Sequence, residues 1–211
     1  MSKTIFITGI DTNTGKSYAT GYIAKQFMEQ GKKVITQKFI QTGNYGISED
    51  IEIHRKVMGI DLLQDDIDGV TCPVILSYPA SPHLAAKIDK VDIDIKKITA
   101  ATIMLKKRYD IILIEGAGGI MTPVNDSITT LDYIAARRYP VIIVTSPKLG
   151  SINHTLLTLE ICSYYNIKVT AVAYSKFGVY DRIICDDTEQ YLKKYIRNFK
   201  HCAWIEIPDI V

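Results

Sequence analysis

The most informative residues lie in a glycine-rich turn near the N-terminus, GIDTNTGKS at residues 9–17. The turn follows a short apolar run and opens a segment with helical periodicity, which is the setting of a phosphate-binding loop. In such a loop, backbone N–H groups point at an anion at the start of a helix, where the helix dipole also favours negative charge. Lys16 would contact the β- and γ-phosphates of a nucleotide, and Ser17 would offer its hydroxyl to Mg²⁺.

The spacing of this loop departs by one residue from the usual G-x4-GK[ST] pattern. Five residues separate Gly9 from Gly15. The alternative is an ordinary glycine-containing turn with a surface lysine. We favour the phosphate-binding loop because a strand is expected before it, a helix is expected after it, and its final Gly-Lys-Ser is intact.

Polar residues also occur where two other strands are expected to end. Glu115 follows the apolar run at 111–114 and precedes a Gly-Ala-Gly-Gly segment, and Lys38 ends a second strand. Since the carboxyl ends of parallel strands meet at one edge of a sheet, we expect both side chains beside the loop. Asp50, near the start of a predicted helix, is a further candidate. Glu115 and Asp50 can supply oxygen ligands to Mg²⁺.

Each of these three residues also has a simpler interpretation. Glu115 fits an acid that ends a strand before a flexible turn, and Lys38 fits a solvated lysine. Asp50 fits an acid that caps a helix or offsets its dipole. Their occurrence together with the loop favours the functional interpretation.

The elements that must position these residues alternate between strand and helix. Near-continuous apolar runs are typical of parallel strands covered on both faces, and they occur at 4–8, 110–115, 141–145 and 168–174. Helical periodicity predicts helices over or near 16–30, 48–58, 83–89, 94–108, 129–138, 151–165 and 182–198. We therefore predict an α/β fold with a doubly wound, mostly parallel sheet of the P-loop nucleoside triphosphatase type.

The same pattern predicts a single domain over residues 1–211. The proline-containing stretch at 72–82 is expected to be a loop excursion from this domain rather than a boundary. In the helix at 151–165, Ile152, Leu156 and Leu159 are expected to form the buried face.

Composition excludes several kinds of partner. Lys and Arg total 25 and Asp and Glu total 23, for a net charge of +2, so there is no electrostatic case for nucleic acid or an anionic membrane. Apolar runs such as 140–144 fall far below the roughly 18 residues of a membrane helix. The N-terminal apolar stretch is too short for a signal peptide, which favours a cytoplasmic protein.

The four cysteines lack C-x-x-C spacing, which argues against zinc and redox sites, and they are expected to be buried.

Taken together, the motifs resemble the dethiobiotin synthetase family, the ATP-dependent carboxylase-cyclases of biotin synthesis. The resemblance covers most of residues 1–160, and its elements occur in the same order as in the family. They are GIDTNTGKS at 9–17, Lys38 with Thr42–Gly43, SED at 48–50, SPHLAA at 81–86, IEGAGG at 114–119 and KLGSINHTLLT at 148–158.

The resemblance implies a reaction and its requirements. The substrates are 7,8-diaminopelargonic acid, CO₂ and ATP with Mg²⁺, and the enzyme is a homodimer. A carbamate is phosphorylated and then closes to a cyclic urea, without a covalent enzyme nucleophile. The protein therefore has to position the reactants and neutralise developing charge.

The resemblance also implies residue roles. Lys16 and Lys38 would be catalytic, at the transferring phosphoryl group and the carbamate. The metal ligands would be Ser17, Asp50 and Glu115. Thr12 and Thr42 would hydrogen-bond the diamine or carbamate, and Pro82 with Ser81 would shape the adjoining wall of the substrate site. The nucleotide contacts would be Asn13, Thr14, Gly15, Lys16, Ser17, Tyr18, Glu115, Gly116, Ala117, Gly118, Tyr174 and Ser175.

The KLGSINH segment is expected to start a helix with Ser151 as its N-cap. The amides of Gly150, Ser151, Ile152 and Asn153 would then be open to an anion. An ordinary capped helix explains the same residues. The resemblance instead implies that this helix start binds the carboxylate of the substrate in the neighbouring subunit, so that each active site spans the dimer interface.

Tyr174 and Ser175 stand where the family often has an asparagine that contacts adenine. A tyrosine ring could stack on any base, which predicts only a modest preference for ATP over other triphosphates.

Three rival interpretations are weaker. A switch ATPase that partitions plasmids or positions division sites carries its signature lysine directly after the first glycine, where this chain has Ile10. A catalytically silent nucleotide-binding regulator is expected to lack Lys38, Glu115 or Asp50. A cobyrinate-type synthetase usually brings a glutaminase domain, for which 211 residues leave no room.

Overall fold

The computed structural model describes residues 2–176, 178 and 181–209. The strands among these residues are β1 (Lys3–Gly9), β2 (Val34–Lys38), β3 (Gln41–Thr42), β4 (Ile75–Leu76), β5 (Ile111–Gly119), β6 (Val141–Thr145), β7 (Val169–Ser175) and β8 (Ala203–Ile207). The main sheet has the order β2-β5-β1-β6-β7-β8, and β3 pairs with β4 in a separate small sheet. Every one of these strand pairs is parallel.

Helices connect the strands and cover the sheet. They are α1 (Lys16–Glu29), α2 (Glu49–Met58), α3 (Gln64–Ile67), α4 (Pro82–Asp89), α5 (Ile95–Lys106), α6 (Thr130–Arg137), α7 (Ser151–Tyr164) and α8 (Arg182–Tyr195), with a 3₁₀ turn at Ile196–Asn198. None of the described helices combines the length and the apolar character needed to span a membrane.

Two apolar clusters, one on each face of the main sheet, hold the layers together. Side chains alternate between the faces along a strand. Phe6 accordingly belongs to the cluster that α4, α5, α6 and α7 cover, whereas Ile5 and Ile7 belong to the cluster that α1 covers. This arrangement confirms the predicted doubly wound, parallel α/β fold.

The structure adds elements that the sequence patterns did not predict. The stretch at 72–82 is not only a loop, because it contains β4, which pairs with β3. Two-residue strands are too short to show a periodicity. The short helix α3 was missed for the same reason. β8 was also missed, because it is an edge strand and Ala203 and Glu206 on it are exposed.

Of the predicted buried face of α7, only Leu159 is fully buried. Ile152 and Leu156 are only half-buried, and the helix buries mainly small and polar side chains instead. Its buried residues are Ser151, Thr155, Thr158, Leu159 and Cys162.

The prediction for the cysteines is only half correct. Cys72 and Cys162 are buried, whereas Cys185 and Cys202 are partly exposed.

Candidate active site

A cleft of about 470 Å³ opens at the carboxyl edge of the main sheet, beside the ends of β1, β2 and β5. Strand register brings the predicted residues together, since Lys38 at the end of β2 pairs with Glu115 on β5. Of the residues predicted from the sequence, the cleft is lined by Thr12, Asn13, Thr14, Gly15, Lys16, Ser17, Tyr18, Lys38, Thr42, Asp50, Glu115, Ala117 and Gly118.

The phosphate loop, residues 9–17, joins β1 to α1 in the shape that anion binding requires. Asn13 and Gly15 adopt left-handed φ angles of 56° and 79°, and α1 begins after Gly15 without a side-chain cap. The first turn of the helix therefore offers backbone N–H groups and the positive end of its dipole to an anion. The Lys16 ammonium donates to the backbone oxygen of Asp11 (2.7 Å), so it lies folded over the loop.

Gly9 is required at its position because the loop closes tightly around it. A Cβ atom there would lie 2.7 Å from Thr14 Oγ1, 2.9 Å from the Asp11 oxygen and 2.9 Å from Lys16 Cδ. Any side chain at this position would have to displace the backbone and the lysine of the loop.

Lys38 lies at the centre of a compact charge cluster. Its buried ammonium forms ion pairs with Asp50 and with Glu115 Oε1 (2.8 Å) and donates to the Gly116 oxygen (3.1 Å). Ser17 Oγ lies 2.6 Å from Asp50 Oδ1 and 3.2 Å from Glu115 Oε1. The three residues predicted as metal ligands, Ser17, Asp50 and Glu115, therefore meet around the lysine.

The cluster changes the acidity of its members. Burial alone would raise the pKa of Glu115, but Lys38 and His54 outweigh it and hold that pKa far below its usual range. Burial alone would lower the pKa of Lys38, but Glu115 and Asp50 raise it. Burial and the nearby Lys38 charge lower the pKa of Lys16 to about 8, despite the acidic neighbours. Glu115 is thus a carboxylate and Lys38 a cation at neutral pH.

His54 is a member of the site that the sequence analysis missed. Its Nε2 lies 2.5 Å from Glu115 Oε2, and the side chain is fully buried. A signal was present, because His54 follows Asp50 by four residues on α2 and such residues share a helix face. A single histidine in a helix does not by itself indicate a catalytic or binding role.

The start of α7 lies outside this cleft. Lys148, Leu149, Gly150, Ile152 and Asn153 line a separate groove of about 510 Å³ together with residues of α8. The predicted N-cap is wrong, because Gly150 occupies that position with φ 93°. Ser151 is the first helical residue. Its N–H donates to the Lys148 oxygen (3.0 Å), so this amide is not open to an anion.

Pro82 also lies outside the lining of the cleft. It is buried in the first turn of α4, where proline is well tolerated. Gly116 is buried on β5, and its backbone oxygen accepts from Lys38.

Tyr174 does not have the environment of a base-stacking residue. Its ring is buried and stacks on Trp204 with 5.3 Å between the ring centroids, and its hydroxyl donates to the Cys185 oxygen (2.9 Å). This packing contradicts the prediction that Tyr174 stacks on a nucleotide base. The neighbouring Ser175 is also buried, and its hydroxyl has no hydrogen-bond partner among the described residues.

Comparisons with known proteins show the family of the chain. The family described as AAA domain matches residues 3–204. The chain is 48% identical over 211 residues to ATP-dependent dethiobiotin synthetase BioD 2 of Pasteurella multocida, covering 100% of this chain and 99% of that protein. It is 53% identical over 184 residues to the protein of the same name from Haemophilus influenzae, covering 87% and 96% of the two chains.

A solved structure supports the fold. The signal recognition particle receptor FtsY from Elizabethkingia anophelis in complex with GDP matches with a TM-score of 0.57 at 15% identity, covering 100% of this chain and 58% of that one. At this identity the likeness concerns the fold alone.

The tight closure around Gly9 leads to a prediction. We expect Gly9→Ala to weaken ADP binding at least about tenfold, a change of about 1.4 kcal/mol, because the added methyl group displaces the loop. Isothermal titration calorimetry measures the affinity. Lys25→Ala is the control, since Lys25 is exposed on α1 and does not line the cleft. A folded Gly9→Ala variant that binds ADP like the unmodified protein would show that the loop does not hold the phosphates.

Proposed function

The chain belongs to the ATP-dependent dethiobiotin synthetase family, and we propose that its carboxyl-edge cleft couples ATP to the formation of dethiobiotin from 7,8-diaminopelargonic acid and CO₂. The observation that carries the proposal is the buried Lys38 ammonium between Asp50 and Glu115, beside the phosphate loop. The cluster holds the Lys38 cation in the cleft, where the negative charge of the phosphates would be stabilised.

The reaction consists of three bond-forming steps. One amine of the substrate attacks CO₂ and loses a proton, which gives a carbamate. A carbamate oxygen then attacks the γ-phosphorus of ATP, and ADP leaves. The second amine attacks the carbonyl carbon of the mixed anhydride, phosphate leaves, and a five-membered cyclic urea remains.

Lys16 and Lys38 are suited to neutralise the charge of these steps. Lys16 is the first residue of α1, beside the loop. Its flexible side chain can move from the Asp11 oxygen to the terminal phosphates of a nucleotide bound on the loop. The Lys38 ammonium is fixed in place by a hydrogen bond to the Gly116 oxygen and by ion pairs with Asp50 and Glu115. Its ammonium is therefore pre-oriented near the phosphoryl group and the carbamate, which reduces the reorganisation that the transition state requires.

The residues around Lys38 also fit a magnesium ion. Ser17, Asp50 and Glu115 offer hydroxyl and carboxylate oxygens, which are the ligands that Mg²⁺ prefers. Among the described residues no group of three or more His, Cys, Asp and Glu could hold a metal alone. A larger group of protein ligands is not required where Mg²⁺ binds through one or two carboxylates together with substrate phosphates. When bound, the ion would offset the negative charge of the phosphates.

Thr12 and Thr42 are candidates to contact the diamine or the carbamate. Both line the cleft, Thr12 from the exposed tip of the phosphate loop and Thr42 from β3. Tyr174 packs against Trp204, Ser175 is 0% exposed, and neither residue lines the cleft, so we assign no base contact to either of them.

The acyl tail of the substrate requires a second subunit in this proposal. The substrate has a carboxylate several methylenes away from its amines, beyond the reach of the phosphate loop. The groove at Gly150, Ile152 and Asn153 is apolar on one side and ends at a helix start, which suits such a tail. We propose that each groove serves the cleft of the neighbouring protomer in a homodimer.

Exposed apolar side chains in two surface pockets support a dimer. Leu149 in this groove is 82% exposed, and Leu157 on α7 and Met121 after β5, which line a separate pocket together, are 62% and 54% exposed. Exposed apolar side chains that lie close together are typical of an interface with another protein. In the same proposal residues 1–211 act as one catalytic domain, and the location is cytoplasmic.

The proposed reaction is tested directly with labelled substrate. We expect the protein to convert diaminopelargonic acid and ¹⁴C-bicarbonate to labelled dethiobiotin in the presence of ATP and Mg²⁺, with one phosphate released per product. Thin-layer chromatography detects the product, and a phosphate assay counts the turnover. ATP hydrolysis that proceeds equally fast without the diamine would contradict the proposal.

The shared site is tested by complementation. Lys16→Ala removes the cation of the phosphate loop, and Gly150→Val introduces a β-branched side chain at φ 93°, where it is strained. Each variant alone should be folded and nearly inactive. Mixed dimers should recover activity, because one of their two sites contains neither substitution.

Mixed dimers are separated with two different affinity tags. If they remain inactive although both chains are folded, the active site is not shared between subunits. The tail of the substrate would then be bound within one chain.

A further inference from the structure

We propose that His54 is a positioning residue that holds one oxygen of Glu115 from behind, so that the other oxygen faces Lys38 and Ser17 in the cleft. The inference rests on the proposed role of Glu115 as a metal ligand. It concerns a residue on α2 that does not line the cleft.

The hydrogen bonds divide the two oxygens of Glu115 between two sides. Oε2 meets His54 Nε2 at 2.5 Å, whereas Oε1 meets Lys38 Nζ at 2.8 Å and Ser17 Oγ at 3.2 Å. Glu115 is a carboxylate and can only accept hydrogen bonds. His54 Nε2 therefore carries a hydrogen and donates it, which fixes the plane of the carboxylate.

A second layer holds the imidazole ring itself. His54 Nδ1 lies 3.0 Å from the Thr36 hydroxyl oxygen, and that oxygen accepts a hydrogen bond from Arg55 Nη1 at 2.7 Å. Arg55 is buried and binds both carboxylate oxygens of Asp66, at 2.8 and 2.7 Å. Asp66 in turn accepts from the Thr71 hydroxyl at 2.7 Å. The ring thus has a partner on each nitrogen.

Close packing of α1 and α2 brings His54 within reach. A Cβ atom on Gly21 of α1 would lie 2.8 Å from Val57 Cβ and 3.2 Å from His54 Cα. Only glycine permits this approach without a shift of one helix. On the same helix Asp50 precedes His54 by one turn, so α2 supplies both a member of the charge cluster and the support for Glu115.

Loss of the support should weaken metal binding more than it weakens nucleotide binding. Hydrogen-bond partners behind a metal ligand typically contribute 10- to 100-fold in affinity. Without His54, Glu115 Oε2 would be a buried carboxylate oxygen that lacks this donor, and the group would be free to rotate. Lys16 and the amides of the phosphate loop would be unaffected.

The experiment compares His54→Leu with His54→Gln in the full-length protein. The amide N–H of glutamine can donate from a position close to that of Nε2, whereas leucine cannot donate. Electron paramagnetic resonance measures Mn²⁺ binding in the presence of ADP, and calorimetry measures ADP binding without metal. We expect His54→Leu to weaken Mn²⁺ binding about 10- to 100-fold, His54→Gln to recover most of it, and metal-free ADP binding to be unchanged.

Glu115→Gln separates this inference from the proposed function. If Glu115→Gln does not weaken Mn²⁺ binding, the metal role of Glu115 is wrong. If it does, while a folded His54→Leu variant binds Mn²⁺ like the unmodified protein, the role of His54 alone is wrong.

Folding is checked by circular dichroism. If the leucine variant does not fold, His54→Asn replaces it, because asparagine is polar but too short to reach Glu115, and the same loss is expected. A folded glutamine variant that binds Mn²⁺ as weakly as the leucine or asparagine variant also overturns the inference.

Discussion

The buried ammonium of Lys38 is the constraint on which the site depends. A charge removed from water is costly unless opposite charges and hydrogen bonds replace the lost hydration. Asp50, Glu115 and the Gly116 oxygen provide that replacement, and each comes from a different element or turn than Lys38 itself. The requirement to balance this one cation therefore fixes β2, α2 and the middle of β5 relative to one another. It also leaves the two carboxylates beside the serine of the phosphate loop, where a magnesium ion and phosphates would be needed.

The fold satisfies this constraint through a few specific features. Parallel strands bring the carboxyl ends of β1, β2 and β5 to one edge, so that Lys38 and Glu115 are paired by register. Gly9 allows the phosphate loop to close over this edge, and Gly21 allows α2 to pack against α1. The second layer around His54 then orients Glu115. Catalysis in such a site depends on positioned charge rather than on a covalent nucleophile, which agrees with the chemistry of the family to which the chain belongs.

Much of the fold and the centre of the site were predictable from sequence, for a physical reason. The phosphate loop is local, Lys38 ends β2, and Glu115 ends the apolar run of β5 although the strand itself continues to Gly119. The meeting of the two side chains therefore follows from the parallel sheet. Other features depend on packing that no local pattern encodes. Ser151 was expected to cap α7, yet Gly150 does so, because the chain enters the helix through a left-handed turn. Tyr174 was expected to meet a base, yet β8, an edge strand with a weak pattern, brings Trp204 onto its ring. The role of His54 depends on its contact with Glu115, which is 61 residues away in the sequence, and no local pattern encodes that contact.

The central claim is that Lys38 is a pre-oriented cation for the transferring phosphoryl group and the carbamate. The most direct measurement is the rate of dethiobiotin formation by Lys38→Met at saturating substrates, together with its affinity for ADP. Removal of one pre-organised donor typically lowers kcat about 10²- to 10³-fold. We predict a loss of this size with ADP affinity nearly unchanged, because the loop and Lys16 hold the nucleotide. A folded Lys38→Met variant with an undiminished kcat would show that Lys38 does not stabilise the transferring phosphoryl group.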